Sequence, residues 1–430
     1  MNHVTGLRCV ICGQRYQPTE VSYVCPQHGN EGILDVEYDY DLIRQQLEST
    51  PPTDSLHQRG MFAYRPFLPL QPHTPQLPLF IGATPVYDAP RLAAACHIAQ
   101  VWVKDDGRNP TASFKDRASA IAVMKARELG AEIVTTASTG NAAAALAGCA
   151  ASVGQKTVIF VPAAAPPAKI AQLLAYGATV LLVEGTYDDA FELCLEATDA
   201  FGWYCRNTAY NPYMAEGKKT VVYELYDQLE TGDWRLEIGS VSSLQSPVSH
   251  IFVSVGDGCI ISGVYKGLRD LVGIGRLPQM PQIMGVQAAG SAFLYDAWMN
   301  DEDVLTKRPI ATNTLADSIS AGLPRDRIKA MAAVRGSSGA FIKVSDEEIL
   351  AAIPALAQGC GVFAEPAAAA AYAGLQKAAR DGLLPPDARV ALLITGNGLK
   401  DVGAAMKATG TAVTIPPKLS LVKKALAKIE

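Results

Sequence analysis

An excess of charge of one sign is missing from this chain. Its 37 basic and 42 acidic residues among 430 leave a net charge of −5. So mild a balance gives no electrostatic footprint for nucleic acid or an anionic membrane. Long apolar runs are missing too: the longest are strand length, short of the roughly 20 residues that span a bilayer. No basic region followed by an apolar stretch opens the chain, so no signal peptide is expected. Cysteine is present, and its count of nine is odd. Cys96, Cys149, Cys194, Cys259 and Cys360 stand among apolar or small residues and read as reduced core residues. These absences point to a soluble cytoplasmic protein without membrane or nucleic-acid partners. With 49% apolar residues the chain can bury a large core over two or more domains.

The stretch around which the rest is organised is Asn109-Pro110-Thr111-Ala112-Ser113-Phe114-Lys115-Asp116-Arg117. It ends a loop and opens a helix whose apolar positions run through Ala120, Ile121, Val123, Met124 and Leu129, with Gly130 as the stop. Lys115 falls in the first turn, where the positive end of the helix dipole disfavours a cation. A depressed pKa and a neutral amine suit covalent catalysis through nitrogen.

At the N-terminus, Cys9-Val-Ile-Cys12-Gly13 and Cys25-Pro-Gln-His28-Gly29 form two short-spaced pairs with strand-like Tyr16, Val21, Tyr23 and Val24 between them. Three thiolates and an imidazole complete a closed tetrahedral zinc site, which is structural in type. Gly13 and Gly29 supply the positive φ that such turns need. From about Pro51 to Pro90 proline recurs, and Phe62, Tyr64, Phe67 and Phe80 suggest a linker wrapped over a core. His57 and His73 in this stretch read as surface residues.

Strands are predicted at Gln100–Lys104, Ile133–Thr136, Thr157–Val161, Thr179–Val183 and Trp203–Arg206. A second series follows at Ile251–Val255, Gln282–Gln287, Phe341–Val344 and Val390–Thr395. Helices separate them, many ending at glycine: Gly130, Gly154, Gly177 and Gly202. Such alternation predicts parallel, doubly wound α/β sheets. Between the series, Thr231–Pro247 is turn-rich and reads as a crossing between lobes, with the site in the cleft between them.

Three strand-to-helix turns carry polar or glycine-rich sequence. Thr135-Thr136-Ala137-Ser138-Thr139-Gly140-Asn141 exposes backbone N–H groups at a helix start, a natural carboxylate site. Ser, Thr and Asn also simply cap helices. Val253-Ser254-Val255-Gly256-Asp257-Gly258-Cys259-Ile260 has the glycines for close approach to a phosphate, but lacks the Gly-Lys-Ser/Thr end of a Walker loop. Asp257 there is expected to point outward or cap the helix. Ile394-Thr395-Gly396-Asn397-Gly398-Leu399-Lys400-Asp401 puts a hydroxyl, Thr395, at the end of the last strand.

Taken with Asn207–Thr220 (NTAYNPYMAEGKKT) and Glu365-Pro366-Ala367, the order and spacing of these motifs resemble the threonine synthase family of pyridoxal-phosphate enzymes. The resemblance implies the tryptophan-synthase-β-like architecture, fold type II: two doubly wound lobes plus a small N-terminal zinc ribbon. It divides the chain into residues 1–40 (ribbon), 41–124 with 226–430 (large cofactor lobe) and 125–225 (small lobe), and it implies a homodimer. By the same resemblance Lys115 carries pyridoxal phosphate covalently and shuttles protons, and Phe114 packs near its ring. Asn141 bonds the 3′-oxygen. Gly256, Asp257, Gly258, Cys259 and Ile260 hold the phosphate through backbone amides. Thr395 bonds the pyridine nitrogen, and Ser138, Thr139 and Gly140 hold the substrate carboxylate. Cys9, Cys12, Cys25 and His28 are the metal ligands.

The implied reaction turns O-phosphohomoserine and water into threonine and phosphate by γ-elimination and β-addition. Three positions depart from the family: Ala112 for glycine, Met214 for an arginine that helps bind the substrate phosphate, and Asn397 for histidine. Lys218, Lys219, Arg325 or Lys400 would have to compensate for Met214. The alternative is another elimination or replacement enzyme on the same fold, of threonine or serine dehydratase, diaminopropionate ammonia-lyase or cysteate synthase type. The absence of a recognisable regulatory domain after Asp401 speaks against an allosteric dehydratase. A zinc-ribbon adaptor carrying an inactive enzyme fold would need no Lys115.

Overall fold

A computed structural model describes residues 3–49, 56–165, 167–230 and 246–427. The expected crossing at Thr231–Pro247 lies outside the described residues up to 245.

Each predicted strand forms, within one or two residues of its expected ends. Ile133–Ala137, Lys156–Pro162, Thr179–Val183 and Tyr204–Cys205 make a four-stranded parallel sheet, in the order Thr179, Lys156, Ile133, Tyr204. The Trp203–Arg206 prediction shrinks to two residues at the sheet edge, although the Arg206 N–H still bonds the Thr135 carbonyl at 2.8 Å.

The larger sheet has six strands. Ala340–Val344, Gln282–Ala288, His250–Ser254, Arg389–Ile394 and Gln100–Asp105 run parallel in that order. Val86–Asp88 closes the edge antiparallel to Gln100–Asp105. The HIFVS and RVALLI strands, buried throughout except at Arg389, carry apolar residues on both faces because helices cover both. Fold type II is thus an α/β architecture of two open sheets, with chain reversals at the carboxyl ends of the strands, where such folds bind ligands.

A third, antiparallel sheet of Arg15–Tyr16, Val4–Cys9 and Leu34–Tyr38 packs on this body. Its Tyr38 hydroxyl donates to Glu216 at 2.6 Å, and the hydroxyl oxygen of the nearby Tyr23 accepts the Cys205 N–H at 2.9 Å. In the proline-rich stretch Phe62, Tyr64 and Phe67 are buried, as a wrapped linker requires. Phe80 is not: it stays 46% exposed, because the chain there turns over the surface before entering the core at Ile81. No described helix is long and apolar enough to cross a membrane.

Candidate active site

Lys115 opens the helix Lys115–Glu128. The loop before it is held from both sides. Asp116, fully buried, accepts the Thr111 N–H at 2.7 Å and the Thr111 hydroxyl. Arg117, also fully buried, bonds Asp106 at 2.6 Å and Glu224 at 2.6 Å, and Glu224 in turn takes Lys104 at 2.8 Å. These ion pairs anchor the helix start, so the direction of Lys115 is fixed by its two successors. Ala112 sits at φ +62°, a left-handed conformation that glycine adopts freely and alanine does not.

The turn after Arg389–Ile394 is zipped to this loop. Phe114 N–H donates to the Thr395 carbonyl at 2.9 Å, and Asn397 N–H to the Ala112 carbonyl at 3.1 Å. Ser113 and Gly396 form an antiparallel bridge. Thr395 and Lys115 are thereby neighbours although 280 residues apart. Phe114 is fully buried, with the Arg117 guanidinium 5.6 Å from its ring centre. Glycine is required at 396: a Cβ there would come within 2.2 Å of Glu365 Oε1.

Glu365 accepts a hydrogen bond from Asn141 Nδ2 at 2.7 Å. Desolvation pushes its carboxyl up to about 7, against the pull of Lys115 and Lys400. The Lys115 ammonium moves the other way, down to about 8, first by desolvation and then by repulsion from Lys218 and Arg206. The sequence pattern attributed this depression to the helix end; burial and two neighbouring cations supply it instead.

Asn141 begins the helix Asn141–Ala151, and Cys259 begins Cys259–Gly273 behind Gly258 at φ +90°. Neither helix has a side-chain cap, and none caps the Lys115 helix. Three sets of N-terminal amides therefore lack protein acceptors of that kind, which suits an anionic ligand. Ser138, Thr139 and Gly140 are half-buried before the Asn141 helix. Asp257 does not cap its helix; its carboxylate accepts the Arg325 N–H at 3.3 Å and braces the adjoining loop. A cavity of about 150 Å³ at the mouth is lined by Thr139, Gly140, Asn141, Lys169, Glu365 and Lys400, among others.

Of the cations proposed to compensate for Met214, three are occupied. Lys219 pairs with Glu216 at 2.7 Å and Asp270 at 2.8 Å, Arg325 with Asp188 at 2.5 Å, and Lys400 bonds Gln172 at 3.1 Å. Lys218 alone among them bears on Lys115. Sequence reasoning missed Arg206, which precedes the Asn207 motif and looks like an ordinary strand-end arginine. It also gave Glu365 no role, though the Glu-Pro-Ala motif marked its place.

Away from this site, Cys9, Cys12, Cys25 and His28 converge, their ligand atoms all within 4.8 Å of one another. Gly13 at φ +75° and Gly29 at φ +53° turn the chain behind each pair. None of the nine cysteines forms a disulfide.

A family model described as pyridoxal-phosphate dependent enzyme matches residues 77–396. Threonine synthase of Methanocaldococcus jannaschii is 33% identical over 427 residues, covering 98% of this chain and 99% of that one. Threonine synthase of Synechocystis is 37% identical over 383 residues, 87% and 93% of the two chains. Among solved structures, diaminopropionate ammonia lyase from Escherichia coli superposes with TM-score 0.62 at 17% identity, covering 90% of this chain and 94% of its own. A fungal L-serine ammonia-lyase from Rhizomucor miehei gives 0.60 at 21%, over 73% and 93%. The two structures share the fold.

Proposed function

Because the chain belongs to the threonine synthase family of pyridoxal-phosphate-dependent enzymes, we propose that it converts O-phosphohomoserine and water to threonine and phosphate. The observation that carries this reading is the match to threonine synthases over nearly the whole chain, with Lys115, Thr395 and Asn141 gathered at one cleft.

The residues fit the cofactor. Lys115 would be its covalent anchor, the uncapped amides from Gly256 to Ile260 would receive its phosphate, and Thr395, Asn141 and Phe114 would hold its ring. Bound pyridoxal phosphate supplies an electron sink that acidifies the hydrogens of an attached amino acid. Lys115 then has the right basicity: with its pKa near 8, a useful fraction is neutral at neutral pH and can accept a proton from Cα and from Cβ. Ser138, Thr139 and Gly140, with the start of the Asn141 helix, hold the substrate carboxylate and so orient Cα toward Lys115. Glu365 takes one of the Asn141 amide hydrogens and sets which way that amide points. Thr395 would meet the ring nitrogen with a neutral hydroxyl, which holds the ring without delivering a full charge to it.

One observation favours the alternative class of β- or γ-elimination enzymes. Met214 is buried, and a thioether cannot make the charge-assisted contact of an arginine to phosphate. Cys9, Cys12, Cys25 and His28 hold one structural zinc in this reading, supported by their convergence. The same reading makes the assembly a homodimer, and light scattering on the eluting protein would test it.

The deciding experiment is phosphate release from O-phospho-L-homoserine by purified, pyridoxal-loaded protein, with products read by mass spectrometry. Phosphate and threonine in equal amounts are expected. A yellow, loaded protein that releases no phosphate but deaminates serine, threonine or a related amino acid would overturn the assignment in favour of the alternative.

A further inference from the structure

Eight basic side chains are buried in the described structure: Lys104, Arg117, Lys125, Arg206, Lys218, Lys219, Lys266 and Arg327. Six of them meet a carboxylate at ion-pair distance. Lys104 and Arg117 share Glu224, Lys125 has Glu128, Lys219 has Glu216 and Asp270, Lys266 has Asp35, and Arg327 has Glu31. Arg206 and Lys218 have none among the described residues, and both lie beside the candidate active site. A buried cation without a counter-charge is costly, so the two exceptions mark a place where an anion is expected.

Their placement is specific. Arg206 is 1% exposed. Its Nε donates to Ser119 Oγ at 3.2 Å and its Nη1 to Thr208 Oγ1 at 3.3 Å, while Nη2 is buried with no partner. Ser119 stands four residues after Lys115, one turn along the same helix face. The guanidinium therefore lies on the face that carries Lys115. Lys218 ends the short helix Met214–Lys218, wedged between the Lys115 and Cys259 helices. A Cβ on Gly217 would come within 2.1 Å of the Arg117 carbonyl, and one on Gly263 within 2.7 Å of Lys218 Cβ. Lys218 is thus held one turn from the uncapped start of the Cys259 helix. Lys218 is hydrogen-bonded by the Cys259 side chain, and Asp326, the carboxylate that bears on it, is itself 3.5 Å from Lys329. Both cations depress Lys115, which brings all three into one electrostatic neighbourhood.

We propose that Arg206 and Lys218 together bind a phosphate monoester dianion between the Lys115 and Cys259 helices. Two residues of fixed position, one offering a fork and one a point charge, match such a group better than a monoanionic carboxylate. The dianion belongs either to the cofactor or to a phosphorylated amino-acid substrate; the second source rests on the function proposed above.

The test uses Arg206→Gln and Lys218→Met beside the charge-keeping Arg206→Lys and Lys218→Arg. Two affinities are measured: pyridoxal phosphate for the stripped protein, by absorbance, and inorganic phosphate for the holoprotein, by its thermal shift. Losing a charge-assisted contact should weaken one affinity by about tenfold or more, with the charge-keeping variants retaining most of it. Weakened cofactor binding identifies the cofactor as the source, and weakened inorganic phosphate binding to the holoprotein identifies the substrate. Both affinities within about twofold of the parent in folded neutral variants would overturn the proposal. Should the neutral variants fail to fold, the stripped parent decides. Its melting temperature must rise with inorganic phosphate, and no rise overturns the proposal. If the parent binds phosphate through these residues yet releases none from O-phospho-L-homoserine, the threonine synthase reading fails while the dianion site stands.

Discussion

Replacing Glu224 with glutamine tests how Lys115, the proposed catalytic lysine, is held. Glu224 is fully buried, and its two oxygens take Lys104 at 2.8 Å and Arg117 at 2.6 Å. The amide keeps the shape but removes the charge, leaving two buried cations with Asp106 as their remaining close anion. Breaking a buried pair in this way costs about 3–5 kcal/mol. With an unfolding entropy of ~2.1 cal/mol/K per residue, a chain of 430 residues has ~0.9 kcal/mol/K, so the melting temperature should fall by about 3–6 °C. The pH dependence has a definite sign. Desolvation raises the Glu224 pKa, but Arg117 and Lys104 outweigh it and hold it at about 2, below the ordinary 4.5. Its stabilising contribution is present above about pH 4.5 and is lost as pH falls through about 2. The parent should therefore be more stable than Glu224→Gln at neutral pH, with the gap narrowing on acidification. Calorimetry at several pH values reads both effects. A variant melting within about 1 °C of the parent at pH 7 would refute the claim that this ion-pair network anchors the Lys115 helix.

At Ala112, glycine relieves the left-handed strain, and Ala112→Gly should raise stability by about 0.5–1 kcal/mol, measured by denaturant midpoint; a loss would show that the methyl is packed rather than strained. Glu365, raised from 4.5 to about 7, contributes stability that is full below about pH 4.5 and lost as pH rises through about 7, so parent stability should decline against Glu365→Gln over that interval. Parallel melting curves from pH 5 to pH 8 would remove its titration from the account. Elemental analysis should find about one zinc per chain, lost in Cys9→Ser with Cys12→Ser; fully folded, metal-free parent protein would count against the metal site. Lys115→Ala should abolish the yellow covalent attachment while leaving the fold intact, seen by absorbance and circular dichroism.

The sheets were legible because each strand is a short apolar run ended by glycine or a polar turn, a local signal. The Lys115 helix was legible for the same reason, from its apolar spacing to the stop at Gly130. What escaped was long-range. Arg117 meets Glu224 across 107 residues and Lys104 meets it across 120, and nothing near any of them in sequence announces the partner. Arg206 reads as a polar residue at a sheet edge until the Tyr204–Cys205 strand is set beside the Lys115 helix and buries it. Phe80 failed in the opposite sense: aromatic content suggested burial, but the position of one ring on a wrapped segment depends on where that segment lies over the core.

The cleft divides its labour between two sheets. The groups proposed to meet the substrate's carboxylate, Ser138 to Gly140, follow a strand of the four-stranded sheet, whereas Thr395 and the turn before Cys259 follow strands of the six-stranded one. Asn141 rides on the smaller sheet and Lys115 and Thr395 on the larger, so the proposed site exists only where the two sheets meet. A mutation that tilts one sheet against the other would therefore change the spacing of these groups even with every one of their side chains intact.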